Sequence, residues 1–361
     1  MKYVNASRKM SIKPELVMEI LYNDIYPTSV EWVFVFLYIV TFLLGTIGNL
    51  LVVISYAKFD KLRNTVYTLI LNLAISDLIV IFTCMPTTIL GDITETWFLG
   101  KDMCKIFGFI QGISVSVSIF TLVCISVERY FGICRSTKSA KTHLNSCYKS
   151  LAFVWLLAII VNSPNLFILS TKSPFEDFTI LFTTCYETWS PKKQLIYQSI
   201  LMVIIFVVPF FCMLFFYIQI SLKMKSSLNE RNKTLYANNY THAKTKNNSS
   251  RRNKSRKRVA HMLVVINILF FVLCLPVYLL NIARYSKILN ETSELVVYMA
   301  LTAHWFVGLN SAINPIIYCL MSAKFRSAFG SICHINVLIP NSNTILKKLS
   351  TTSTMHRNNL I

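Results

Sequence analysis

The chain has 361 residues, of which 54% are hydrophobic and only 14% charged, whereas soluble domains carry roughly 25% charged residues. That balance excludes an ordinary soluble domain and describes an integral membrane protein. The net charge of +20 collects between apolar windows, so it reads as membrane topology and no nucleic-acid partner is expected.

The first 30 residues hold no short apolar core with a cleavage site, so no cleaved signal peptide is expected and the first apolar window is expected to act as a signal anchor. Seven nearly uncharged windows follow, at 32–54, 65–91, 106–127, 150–171, 194–222, 259–283 and 295–323. Each exceeds the ~20 residues that an α-helix needs to cross a hydrocarbon core about 30 Å thick. The predicted fold is an all-α membrane protein, a seven-transmembrane helix bundle over 31–323. An N-terminal segment, 1–30, precedes it, and an amphipathic eighth helix, 324–333, and a tail, 334–361, follow.

Orientation follows from the connections. Residues 223–258 hold twelve Lys and Arg against one acid, Glu230, and the turns near Lys58 to Arg63 and Arg135 to Lys149 are also basic. The positive-inside rule places these in the cytoplasm, the N-terminus outside and the C-terminus inside. Residues 224–258 are rich in Asn, Lys, Ser and Arg without apolar periodicity, which predicts a disordered loop. On the opposite side lie Cys104 and Cys185, where an oxidising exterior favours a disulfide. The alternation in "FTILFTTC", ending at Cys185, predicts a β-hairpin there.

Polar groups inside spans are costly and usually functional. Asp77 is the only acid deep in any window, and its possible partners are Asn49, Ser118, Asn310, Ser311 and Asn314. Such a set either orders the helices as a polar network or holds a small hard cation, and the two readings are compatible. In the third window Gln111, Val115, Ser118, Leu122, Ile125 and Arg129 share one helical face that extends roughly 27 Å at 1.5 Å per residue. Arg129 stands beside Glu128, a potential charge partner. In the seventh window His304, Gly308, Ser311, Asn314 and Tyr318 follow one another on about one face, with His304 at the depth of Gln111. Pro86, Pro164, Pro209, Pro276 and Pro315 weaken their helices locally, as a bundle with two packings requires.

These residues carry a resemblance that covers about 32–333. "GN" at 48–49, "LAISD" ending at Asp77, "ERY" at 128–130, Trp155, Pro209, Tyr217, Phe270, Pro276 and "NPIIY" at 314–318 resemble the motif set of rhodopsin-like (class A) G-protein-coupled receptors. Within that class "DITETWFLGKDMCK", "QGISVSVSIFTL", "CYETW" and "LPVYLLN" are similar to the orexin and allatotropin receptors, with neuropeptide FF receptors next. The resemblance implies a plasma-membrane receptor for an extracellular, C-terminally amidated neuropeptide that contacts Asp92, Gln111, Glu187, Tyr197, Asn281 and His304. It implies coupling to a heterotrimeric G protein, Gq with calcium release. Glu128, Arg129, Tyr130, Tyr217, Phe270, Cys274, Pro276, Pro315 and Tyr318 would serve activation. It implies no cofactor beyond an allosteric sodium ion at Asp77.

The chain departs from the pattern at Cys274, where an aromatic is expected, at Gly308, where the orexin group has a Tyr, and at Arg256, where many relatives have an acid. The first alters the switch at the pocket floor, the second enlarges or reshapes the cavity, and the third removes an ionic lock to Arg129. Phe325 and Phe329, spaced i and i+4, fit a helix lying on membrane lipid, with Cys333 as a palmitoylation candidate. Ser and Thr at 350–354 are candidate phosphate acceptors for arrestin, and Asn5 and Asn290 lie in glycosylation sequons.

Other functions fit less well. The seventh window has no Lys for a retinal Schiff base, Gln111 offers no carboxylate to an amine, and a transporter would show repeats or several charges along a path. No H-E-x-x-H, G-x-S-x-G or P-loop pattern occurs, so no enzyme activity is expected.

Overall fold

In the computed structural model residues 26–134, 140–173, 180–237, 243–289 and 293–334 are described. Among them, seven helices are long and apolar enough to cross a membrane. Helix α1 is Ser29–Lys58, α2 is Thr65–Thr94, α3 is Gly100–Cys134 and α4 is Ala140–Asn162. Helix α5 runs from Pro191–Met202 into Val208–Ala237, α6 is Ala243–Tyr285 and α7 is Glu294–Met321. After a break at Ser322 the short α8, Ala323–Ile332, turns off the end of α7.

Each boundary has a local cause. Thr28 caps α1 through a reciprocal pair: Glu31 N–H donates to Thr28 Oγ1, and Thr28 N–H donates to Glu31 Oε2 at 2.7 Å. Two donors left over at a helix start are thereby satisfied. Within α2 and α5 the backbone widens into π turns at Val80–Cys84 and Val203–Val207. Pro86 and Pro209 follow two residues after these turns, where a missing backbone N–H would otherwise leave a carbonyl bare.

The bundle is built around α3, whose Val117, Ile119 and Thr121 are fully buried. The outer helices present apolar side chains outward, with Phe36, Phe153 and Phe211 all more than half exposed. In water that surface would drive aggregation, but lipid tails are as apolar as the side chains that meet them. Gly48 sets the contact of α1 with α7: a Cβ there would stand 2.8 Å from Cβ of Pro315. A larger residue at 48 would push apart two rigid backbones.

Two expectations need correction. The loop predicted over 224–258 is helical in its described parts, since α5 continues to Ala237 and α6 begins at Ala243. Composition without periodicity says that a stretch has no face to bury. Lys, Arg and Ser still accept helical backbone once a packed span has nucleated it. The hairpin is present, but its strands are β1, Leu169–Lys172, and β2, Thr184–Glu187, paired antiparallel with Thr171 opposite Cys185. Of the described part of "FTILFTTC", residues 180–185, only Thr184 and Cys185 belong to its strands.

Candidate functional site

The hairpin closes one mouth of the bundle. Cys104, in the first turns of α3, and Cys185, in β2, form the expected disulfide, with Cα atoms 5.7 Å apart. The α2–α3 connection holds the hairpin from its other side. Trp97 N–H donates to the Thr183 carbonyl at 2.7 Å, and Phe182 N–H donates to Thr96 Oγ1 at 2.9 Å. The connection, the α3 end and the hairpin thus behave as one unit.

Beneath the hairpin lies a cup of about 260 Å³, just under the roughly 300–1,000 Å³ of pockets that swallow a drug-sized ligand. Gln111 from α3, Glu187 from β2, Asn281 from α6 and His304 from α7 all line it. Asp92 joins through His304, whose Nδ1 lies 2.8 Å from Asp92 Oδ2 in a pair only 24% and 20% exposed. Glu187 accepts from Gln198 Nε2 at 3.0 Å, and its carbonyl accepts from Gln194 Nε2. Burial pushes the Glu187 carboxyl above its usual range, while hydrogen bonds from Gln198 and Tyr285 draw it partly back.

Tyr197 departs from the expected ligand set. Its hydroxyl donates toward the Val161 carbonyl at 3.3 Å and Asn165 Oδ1 at 3.4 Å, and its ring meets Trp189 edge-on. It serves the seam between α4 and α5 and does not line the cup. The volume that Gly308 leaves is taken by Met85, whose Cε would stand 3.0 Å from a Cβ at 308. The cup is therefore reshaped at this point.

Sequence reasoning missed Tyr38, Thr88, Asn162 and Gln198, all of which line the cup. Asn162 had a visible signal, an amide inside an apolar window, whereas Tyr38 reads as an ordinary lipid-facing aromatic. Cys274 lines the cup and is 1% exposed, and around it α5 and α6 interlock through Phe206, which meets Phe270 at 5.8 Å and Tyr278 at 4.6 Å.

One layer deeper, Asp77 is fully buried and its Oδ2 accepts from Asn314 Nδ2 at 3.0 Å. Asn49 Nδ2 donates to the carbonyls of Gly45 and Ser311, at 2.9 and 3.0 Å. Ser118 pairs with Ser76 Oγ at 2.9 Å, and Asn310 is buried alongside. A second polar link, Trp155 to Asn72 to Thr121, ties α4 through α2 to α3. Asp77 Oδ1, Asn49 Oδ1 and Tyr318 Oη are buried without a protein hydrogen-bond partner among the described residues. Each such orphan costs about 1–3 kcal/mol, so the layer has the donor chemistry to hold water or a small cation. Oxygen ligands of this kind suit a hard ion.

At the far end Tyr217 Oη accepts from Asn267 Nδ2 at 3.0 Å, and Tyr130 packs on Phe216 with ring centroids 5.4 Å apart. Tyr318 stacks on Phe325 of α8 at 5.4 Å, and Phe325 also meets Tyr67 of α2. Lys324 lies 5.1 Å over the Tyr67 ring and donates to the Lys61 carbonyl. Burial first, then the nearby cations Arg129 and Lys61, lower its ammonium below the usual lysine range. Arg326 caps α7 by donating to the carbonyls of Cys319 and Leu320, where the helix leaves its last acceptors open. Cys333 is an exposed thiol just past α8. Asn5, Asn290, the cluster 350–354 and the side chain of Arg256 lie outside the described residues.

A bundle of seven spans with a capped cup at one end matches the family model of the 7 transmembrane receptor (rhodopsin family) over residues 48–318. The chain belongs to that family, one of receptors and not of enzymes. It is 30% identical over 330 residues to Neuropeptide FF receptor 1 of Rattus norvegicus, an alignment covering 88% of this chain and 74% of that receptor.

Proposed function

We propose that this chain is a plasma-membrane receptor for an extracellular, C-terminally amidated neuropeptide of the orexin or allatotropin kind. Its hairpin end faces outward and its N-terminus is extracellular. The observation that carries this reading is the convergence of Gln111, Glu187, Asn281 and the Asp92–His304 pair under a tethered hairpin. A cup of about 260 Å³ takes the terminal residues of a peptide and leaves the remainder on the hairpin. Amides and charges in that cup suit a ligand end that both donates and accepts hydrogen bonds. A second reading, an RFamide peptide, draws on the likeness to Neuropeptide FF receptor 1.

Ligand binding shifts the bundle only by its differential affinity for the active state. In that state Arg129, released from Glu128, meets the C-terminal helix of a Gα subunit, of the Gq class with calcium release. Tyr130, Tyr217 and Tyr318 support Arg129. Phe270, Cys274, Pro276 and Pro315 form the yielding parts of α6 and α7. In the resting state Asp77, with Asn49, Ser118, Asn310, Ser311 and Asn314, would hold a sodium ion, whose charge would neutralise the buried carboxylate. A palmitoyl chain on Cys333 anchors α8 to lipid, arrestin reads phosphates at 350–354, and Asn5 and Asn290 carry glycans.

The test is intracellular calcium in cells expressing the chain, challenged with orexin-like, allatotropin-like and RFamide peptides. One class is expected to evoke a response, right-shifted about tenfold or more by Gln111→Ala and abolished by Arg129→Ala at equal surface expression. Silence to every peptide, with a promiscuous Gα supplied, overturns the ligand class.

A further inference from the structure

Toward the end of α6 that lies away from the cup, one amide stands in a layer that is otherwise apolar. Leu122 and Ile125 on α3, Met213 on α5 and Ile266 and Phe270 on α6 belong to the buried core there. Asn267, between the last two in sequence, is 5% exposed. Its Nδ2 donates to Tyr217 Oη of α5 at 3.0 Å, while its Oδ1 is buried with no hydrogen-bond partner among the described residues. The amide is thus half paired. Ser126 of α3, 1% exposed, faces the same Tyr217 hydroxyl. Ser126 Oγ donates its own proton to the Leu122 carbonyl at 3.0 Å, so it meets Tyr217 as an acceptor, and Tyr217 is held from two sides.

The two halves of this amide do not cancel. A neutral hydrogen bond formed on packing contributes little net free energy, because water offered one too, whereas a buried acceptor left bare loses its whole hydration. Apolar surroundings enlarge that loss. Asn267 therefore disfavours the packing in which it is buried, and Tyr217 does not depend on it, since Ser126 remains. The amide also lies where movement relieves it. Asn267 is nine residues before Pro276, roughly 13 Å along the helix. A swing of α6 about that proline carries the amide out from between α3 and α5 and opens the layer to water.

We propose that Asn267 is a polar wedge that sets the ligand-free balance of this receptor: its bare carbonyl opposes the closed packing of α6 on α3 and α5 and finds water in the open one. The inference rests on the reading that α6 yields to admit a Gα subunit. Asn267 acts through the packing of α6 and is a positioning residue.

The full-length receptor and its Asn267→Leu variant, which keeps the volume and removes the amide, are reconstituted in phosphatidylcholine nanodiscs without ligand. Nucleotide exchange on purified Gq heterotrimer is expected to fall about fivefold in the variant. Hydrogen exchange over 264–275 is expected to slow and the melting midpoint to rise. Asn267→Met, with an unbranched and adaptable side chain, repeats the result if the branched one misfits. Ile268→Leu, on the lipid face of α6 at 57% exposed, leaves all three readings unchanged. Faster nucleotide exchange in the Asn267 variants shows that the bond to Tyr217 is a latch and overturns the wedge. Unchanged nucleotide and hydrogen exchange overturns it too, because the carbonyl is then satisfied in both packings. A parent that activates neither Gq nor a promiscuous Gα contradicts the coupling reading alone. The wedge is then judged by hydrogen exchange and the midpoint, and it falls if Asn267→Leu moves neither.

Discussion

Gly112 on α3 is expected to be intolerant of even one added methyl, for a reason visible at the wall of the cup. Asn162 of α4 is 1% exposed, and its Nδ2 donates to Ser116 Oγ at 2.9 Å and to the Ala158 carbonyl at 2.8 Å. A Cβ on residue 112 would stand 2.8 Å from Asn162 Cγ and closer still to Oδ1. The amide cannot turn aside without giving up both hydrogen bonds. Overpacking costs about 1–3 kcal/mol and each lost bond about 1. Against this, Gly→Ala in a helix interior gains about 1 kcal/mol from backbone entropy. The balance for Gly112→Ala is a loss of about 2–4 kcal/mol, or roughly 3–5 °C in melting temperature for a chain of this length.

Because receptors of this size unfold irreversibly, the midpoint is compared at one scan rate, by dye-detected unfolding of the purified protein. The decisive comparison is with Asn162→Ala, which removes the obstructing amide. In that background Gly112→Ala is expected to be neutral or slightly stabilising, a coupling between neighbours that a double-mutant cycle isolates. An unchanged or raised midpoint in the parent, or equal losses in both backgrounds, would refute the assignment of the clash.

Cys185→Ser opens a loop of 81 residues and is expected to cost about 2–5 kcal/mol. Peptide binding should fall at least tenfold at matched surface expression, while Cys333→Ser leaves binding intact. Equal binding by both would show that the Trp97 and Phe182 contacts alone hold the hairpin. Glu187 carries a pH signature. Its folded carboxyl titrates above the ordinary glutamate value of 4.5 because burial disfavours its charge, so the native state binds more protons than the unfolded one in that window. Its contribution to stability is then present below the usual value and falls as pH rises toward the raised one. Glu187→Gln should therefore gain on the parent as pH climbs from about 4.5 and hold a constant lead beyond. Parallel melting profiles of the two would sink the idea.

The spans were legible in the chain because a bilayer imposes a one-dimensional requirement, about 20 apolar residues in a row, that needs no partner to be recognised. The disulfide was equally accessible, since topology left Cys104 and Cys185 together on one side. The four cup residues Gln111, Glu187, Asn281 and His304 were named from their place in family motifs, and the fold brings them together. Tyr197 shows the limit of that route: its position fits a ligand contact, yet its hydroxyl is committed to Val161 and Asn165.

What stands opposite a given face depends on helix rotation and packing distance, which no local pattern encodes. Ser118 could be placed in a polar layer from spacing, but its pairing with Ser76 depends on how α2 and α3 dock. Tyr38 became part of the cup, and Met85 filled the space beside Gly308, for the same reason. The half-paired amide of Asn267 is a property of α6 meeting its neighbours, and no helix alone contains it. Hydrophobicity and spacing are local quantities and can be read along a chain. Rotation, register and cavity shape are set by many weak contacts acting at once, so they exist only in the packed bundle.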